Sequence, residues 1–201
     1  MAYQRKDHYH QRAKREGYRS RAAYKLLEIQ KAHRLLRAGH KVVDLGCWPG
    51  GWLQVAAELV GPRGRVVGVD LAALDPPLKN ENVFAFEGDL TDPELLGRLT
   101  EGVGGRADVL LSDAAPKLTG VRATDRVREE ALLEGIEAAI PLLLRRGGTL
   151  LVKILEGPET REIDARIRRG FAKAKTLKLA STRKGSSEQY LLARDYTTLD
   201  T

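Results

Sequence analysis

Between Lys41 and Arg194 of this 201-residue chain, short apolar runs alternate with helical stretches, and that alternation narrows the fold more than any other feature. Lys41-Val42-Val43-Asp44-Leu45, Arg65–Val69, Val83–Phe86, Asp108–Leu111 and Gly148–Lys153 read as strands. Helices are predicted over Gly50–Val60, Pro93–Leu99, Asp125–Leu144 and Pro158–Phe171. Short apolar strands separated by helices belong to a mostly parallel sheet covered on both faces. The last two strand-like runs, Ala174–Leu179 and Gln189–Arg194, are joined by too few residues for a helical crossover. They should pair as an antiparallel hairpin at one edge, completing a seven-stranded α/β sheet.

The formal charge of +7 and pI of 9.6 favour a polyanionic partner, because cations that neutralise phosphates release condensed counterions. Nucleic acid leads, and a membrane surface is not expected. Much of the charge gathers near the amino terminus, where Arg5, Lys6, Arg12, Lys14, Arg15, Arg19, Arg21 and Lys25 interleave with Tyr3, His8, Tyr9, His10, Tyr18 and Tyr24. Guanidinium groups meet phosphates and rings stack on unpaired bases, so the pattern suits RNA; a solvated, frayed tail is the plainer reading. We therefore divide the chain into a basic, aromatic segment, 1–19, and a single domain, 20–201, whose first helix should run from an N-cap at Ser20 to about Leu36. Cys47, the only cysteine, excludes an intramolecular disulfide and a cysteine metal cluster. With no span or signal core legible, a cytoplasmic protein is expected.

Chemistry-bearing residues recur at strand ends. Asp44-Leu45-Gly46-Cys47-Trp48-Pro49-Gly50-Gly51-Trp52 follows the first strand and opens a helix, the place where doubly wound folds bind nucleotide-like ligands. It is neither a dinucleotide fingerprint nor a P-loop. Asp44 can face an ammonium while Gly46, Gly50 and Gly51 admit close backbone approach, which suits a zwitterion such as S-adenosylmethionine. Asp70 ends the second strand, where it can accept ribose hydroxyls, and Asp89 follows the third, where it can accept an adenine amino group. Singly, each is more often a turn or cap residue. Lys153 closes the apolar run Thr149-Leu150-Leu151-Val152-Lys153, and Asp113 ends the strand before it. An isolated strand-end lysine ordinarily lays its stem on the sheet and its head in water, but an ammonium drawn into the domain needs partners.

Taken together, the Asp44–Trp52 loop, Ser112-Asp113-Ala114-Ala115-Pro116, Val152-Lys153 and Ser187-Glu188-Gln189-Tyr190 give the chain a resemblance to the FtsJ/RrmJ-type ribosomal RNA large subunit 2′-O-ribose methyltransferases, from about Ser20 to Arg194. The resemblance implies a Rossmann-like S-adenosylmethionine-dependent methyltransferase fold and a Lys-Asp-Lys-Glu catalytic set at Lys25, Asp113, Lys153 and Glu188. It places the cofactor against Gly50, Trp52, Asp70, Asp89 and Asp113, sets Tyr190 near the RNA, and calls for no metal. The implied reaction is 2′-O-methylation of a ribose, a uridine in the A-loop of 23S ribosomal RNA, with ribosomal RNA or the large subunit as partner and no obligatory protein partner. Trp48 departs from the family, standing where a small residue is expected; it should pack under the cofactor loop or alter how the pocket closes. A tRNA substrate, a small-molecule substrate and a catalytically silent RNA-binding factor are the competing readings.

Overall fold

The computed structural model describes residues 8–116, 119–155, 158–182 and 188–197. Two helices, α1 (His8–Glu16) and α2 (Ala23–His33), precede β1 (Lys41–Leu45), α3 (Gly51–Val60), β2 (Arg65–Asp70) and β3 (Val83–Glu87). Then follow α4 (Pro93–Val103), β4 (Ala107–Ser112), α5 (Arg122–Leu143), β5 (Leu144–Leu155), α6 (Pro158–Arg169), β6 (Phe171–Leu177) and β7 (Glu188–Tyr196). The strands form one seven-stranded sheet in the order β3-β2-β1-β4-β5-β7-β6. The chain runs outward from β1 through β2 to β3 and crosses back to β4, so β1 and β4 flank the switch point where a crevice opens at the carboxyl ends of the strands. As expected, the first five strands pair in parallel and the carboxy-terminal pair is antiparallel, but β7 turns inward between β5 and β6, leaving β6 at the edge.

Side chains of a strand alternate between faces, and here the alternation sorts the core in two. Val43, Leu45, Val67, Leu110 and Leu150 bury one face with Leu99, Ile136, Leu143 and Ile163 from α4, α5 and α6. Val42, Val66, Val109, Leu111 and Leu151 bury the other with Leu26, Ile29, Leu53 and Val55 from α2 and α3. Each such side chain contributes on the order of 1.5–3 kcal/mol when buried. Asp44, Asp70 and Lys153 share the parity of the α2–α3 side, as does Asp113 just beyond β4. Tyr190, buried in that same core, and Glu188 two residues before it share it too. A slip of one residue in any of these strands would send its polar group into the opposite core.

The amino terminus differs from expectation. Ser20 does not cap α2; Ala23 N–H bonds back to Ser20 O in a turn, α2 begins after Ala22 without a side-chain cap, and the Ser20 hydroxyl is buried without a partner. The helix ends at His33, where Arg34 takes a left-handed conformation (φ 47°) and its N–H closes on Gln30 O. Residues 8–16, predicted as part of a basic segment, form α1, which packs on α2. The Tyr9 ring lies 5.4 Å from that of Tyr24, the Tyr24 hydroxyl donates to Glu16 at 2.8 Å, and Arg12 sits 4.6 Å over the Tyr24 ring. Tyr3, Arg5 and Lys6 lie outside the described residues.

Glycine 68 sets how closely the β1–α3 loop approaches the sheet. A Cβ there would stand 2.7 Å from Cys47 Sγ, 2.9 Å from Cys47 Cβ and 3.0 Å from Leu53. Gly68→Ala should therefore lower stability by about 1–3 kcal/mol. Gly97→Ala, in the interior of α4 with nothing within 4 Å of its added methyl, should raise it by about 0.4–1 kcal/mol. Urea unfolding of the two variants checks the contrast, and equal effects would contradict it.

Candidate active site

Antiparallel pairing sets Lys153 directly opposite Tyr190 and Leu155 opposite Glu188, so Glu188 and Tyr190, two residues apart on β7, share a face with Lys153. Parallel pairing sets Ser112 beside Val152, which brings Asp113 alongside Lys153. Lys153 Nζ donates to Asp113 O at 2.7 Å and stands 3.3 Å from its Oδ1. From α2, Lys25 Nζ reaches Glu188 at 2.8 Å, the Tyr190 hydroxyl at 2.9 Å and Asp113 at 3.5 Å. Tyr190 in turn donates to Asp113 Oδ1 at 2.6 Å. Burial, with Asp113 and Glu188 beside it, pushes the Tyr190 phenol far above its ordinary range, so it remains a neutral donor. The structure thus brings Lys25, Asp113, Lys153 and Glu188 together and adds Tyr190 at their centre.

Asp113 also lines the crevice at the switch point, a cavity of about 660 Å³, within the usual range for small-molecule sites. Gly46, Trp48, Asp70 and Leu71 form one side, Asp89 and Thr91 another, and Arg128, Ala131 and Leu132 of α5 a third. The Asp70 carboxylate accepts from Trp48 N–H at 2.9 Å and Ala72 N–H at 3.1 Å, tying the β1–α3 loop to the end of β2. Asp89 accepts from the backbone and hydroxyl of Thr91, at 2.9 and 2.8 Å, which hold its carboxyl below the usual range. Each acid is thus a turn residue and a cavity wall at once. Gly46 (φ 80°) allows the two strand-end loops to touch, since a Cβ there would stand 2.4 Å from that of Ala114.

Asp44 lies at the end of β1, 1% exposed, and neither carboxylate oxygen has a hydrogen-bond partner. Burial, then Asp113 and Asp70 nearby, raises its pKa well above the ordinary value. A buried carboxyl among like charges is held toward its neutral form until a cation comes beside it. The remaining loop residues face elsewhere. Gly50 (φ 104°) caps α3 against Arg19, and Gly51 abuts Ser20 and Ala23. Trp52 is buried, donates its indole N–H to Ala22 O at 2.8 Å, and packs 5.9 Å from the Tyr190 ring. None of the three lines the cavity; Gly50 N–H is spent on Cys47 O at 2.7 Å, and what the loop offers a ligand is the N–H groups of Gly51 and Trp52 in the first turn of α3. Trp48 does not pack under the loop but stands at the cavity with 58% of its surface exposed.

Two groups escaped the sequence. Arg19, grouped with the RNA-contacting cations, clasps the loop, bonding Pro49 O at 3.4 Å, Pro77 O at 3.1 Å and Pro76 O. The α5 wall carries no motif; only the tertiary fold reveals it.

A switch-point cavity walled by strand-end acids, in a sheet of this order, is the architecture of the Rossmann-like methyltransferases, the class that uses S-adenosylmethionine as methyl donor. Residues 18–196 match the model of the FtsJ-like methyltransferases, and the chain belongs to that family. It is 45% identical over 196 residues to ribosomal RNA large subunit methyltransferase E of Methanothermobacter thermautotrophicus, covering 98% of this chain and 92% of that protein. With the Coxiella burnetii protein of the same name it shares 41% over 196 residues, covering 95% and 91%. A Plasmodium falciparum protein described as a ribosomal RNA methyltransferase superposes with a TM-score of 0.77 at 28% identity, over 90% of this chain and all of that one. Aeropyrum pernix fibrillarin with bound S-adenosyl-L-methionine shares the fold, with a TM-score of 0.65 at 20% identity over 88% and 75% of the two chains.

The residues present fit that cofactor. The orphaned Asp44 carboxylate awaits a cation, and the polar walls at Asp70 and Asp89 answer a nucleoside. A carboxyl whose pKa rises on folding costs nothing below the ordinary carboxylate range and destabilises the ligand-free protein increasingly as pH climbs from that range to the raised value, where the loss levels off. Asp44→Asn should flatten that dependence, so that the ligand-free variant loses less melting temperature than the parent between about pH 5 and pH 8. It should also lose most of the stabilisation that S-adenosylmethionine confers. Thermal unfolding with and without cofactor checks both; undiminished cofactor stabilisation would contradict the assignment.

Proposed function

We propose that this methyltransferase methylates a ribose 2′-hydroxyl in 23S ribosomal RNA of the large ribosomal subunit, at a uridine of the A-loop, in the cytoplasm. The observation that carries the reading is the meeting of Lys25, Asp113, Lys153 and Glu188 at the edge of a cofactor-sized cavity, with Asp113 belonging to both. The names of the relatives, each a ribosomal RNA large subunit methyltransferase, supply the substrate class. Ribosomal RNA or the assembled subunit is the partner, and no obligatory protein partner is proposed. A small-molecule substrate would not call for exposed cations such as Lys14 and Arg15 in the last turn of α1, which suit phosphates.

A ribose hydroxyl is a weak nucleophile, so transfer depends on alignment and on management of its proton. S-adenosylmethionine, when bound, supplies an electrophilic methyl group on a sulfonium sulfur. Asp70 and Asp89 would hold its nucleoside end, Asp44 its ammonium, and the first turn of α3, at Gly51 and Trp52, its carboxylate. Lys153, fixed by the carbonyl and carboxylate of Asp113, keeps one position for the ribose oxygen and steers its lone pair toward the cavity. Asp113 holds Lys153 against the strand end and, through Tyr190, fixes Lys25 at a set distance. Glu188 completes the cage around Lys25, which is left to meet a ribose or phosphate oxygen.

Lys153→Ala should lower methyl transfer by about 10²-fold or more while S-adenosylmethionine affinity changes less than about threefold; full activity would sink the role. Labelled S-adenosylmethionine offered with unmethylated large subunits, free ribosomal RNA and tRNA, followed by mapping of the label, tests the substrate. Label in tRNA alone, or on a base, would overturn the reading.

A further inference from the structure

The cavity has one apolar feature that the proposed catalytic set does not use. Trp48 and Leu71 are the two large hydrophobic side chains at its edge that stand mostly in solvent, 58% and 73% exposed. They occupy the loops that follow β1 and β2, on either side of Asp70, whose carboxylate bonds Trp48 N–H and Ala72 N–H and so pins both loops. Trp48 is therefore a large ring on a backbone that is already fixed, with no protein ring stacked on it among the described residues. An exposed indole offers a wide π-face at little conformational cost. On the α5 wall, Ala131 and Leu132 add apolar surface beside Arg128.

We propose that the Trp48 indole, with Leu71 beside it, forms a lid over the nucleoside end of the methyl donor, stacking on the purine whose amino group Asp89 would accept, beyond the ribose that Asp70 would hold. Asp70 and Asp89 supply acceptors to the ribose hydroxyls and to the edge of the base and leave the faces of the base uncovered; among the residues lining the cavity, Trp48 is the one with an aromatic ring to cover a face. The departure at residue 48 is then a gain of cofactor contact, in a chain where the neighbouring Trp52 is spent on packing under Ala22. Trp48 acts as a positioning residue: it would hold the nucleoside, while the groups proposed for methyl transfer gather at Asp113.

The chain has two tryptophans, Trp52 is buried with its indole N–H bonded, and methylthioadenosine lacks the amino-acid end that would reach the turn at Trp52, so a change in emission with that ligand reports Trp48. Titration of the full chain with S-adenosylmethionine, and separately with 5′-methylthioadenosine, which has the nucleoside without the amino-acid end, should shift or quench the emission with both ligands. Trp48→Ala should abolish that signal and, by calorimetry, raise Kd for both ligands by about five- to a hundredfold, the worth of one base–aromatic stack; Trp48→Phe should restore most of the affinity. Asp44→Asn should weaken S-adenosylmethionine and spare methylthioadenosine. Affinity for methylthioadenosine within twofold of the parent in Trp48→Ala, or emission unchanged at saturating ligand, would overturn the proposal. No RNA enters the experiment, so its outcome stands apart from the identity of the RNA substrate.

Discussion

The structure is organised around the Asp113 carboxylate, which accepts from Tyr190 at 2.6 Å, faces Lys153 at 3.3 Å and Lys25 at 3.5 Å, and forms part of the cavity wall. One anion balances two ammonium groups drawn from α2 and β5, and Glu188 supplies the second negative charge. Without that balance, two cations whose side chains are 12% and 8% exposed would face each other in a largely dry pocket, an arrangement that costs several kcal/mol. Groups from α2, β5 and β7 meet at this carboxylate, so it joins the ends of three elements that their apolar packing has already brought together.

The sheet's parity explains how residues from so many parts of the sequence converge. Asp44, Asp70, Asp113, Lys153, Glu188 and Tyr190 occupy corresponding sides of their strands, over which α2 and α3 pack. The inward insertion of β7 matters as much. With β6 beside β5, Glu188 and Tyr190 would lie one strand farther from Lys153, roughly 4.8 Å at the sheet's spacing. The apolar majority of the same strands fixes their register, so the positions of the charged groups follow from the burial of Val42, Leu111, Leu151 and Leu192 rather than from their own attractions.

Strand ends were legible because period and apolar content both mark them, and Asp44, Asp70 and Lys153 stand where the apolar pattern breaks. The amino terminus was less so, since a tyrosine followed by arginine reads alike whether the ring meets a base or another ring. Tyr18 meets Glu58, forty residues on, at 3.0 Å, and Tyr24 meets Glu16, contacts that local pattern cannot supply. Ser20 has the residue type of an N-cap but lies in the turn before the helix, its hydroxyl against Gly51. Trp52 has the place of a cofactor residue in the motif, yet its ring is used to seat α2. The α5 wall, with Arg128 and Leu132, carries no local signal because a helix face acquires meaning only from what it covers.

The central claim is that Asp113 joins cofactor cavity and catalytic cluster into one working site. The most direct test is the single-turnover rate of methyl transfer by Asp113→Asn with cofactor and ribosomal RNA both saturating, so that binding is removed from the comparison. The rate should fall by about 10²-fold or more, because the amide cannot balance Lys25 and Lys153. A rate within about twofold of the parent would contradict that claim.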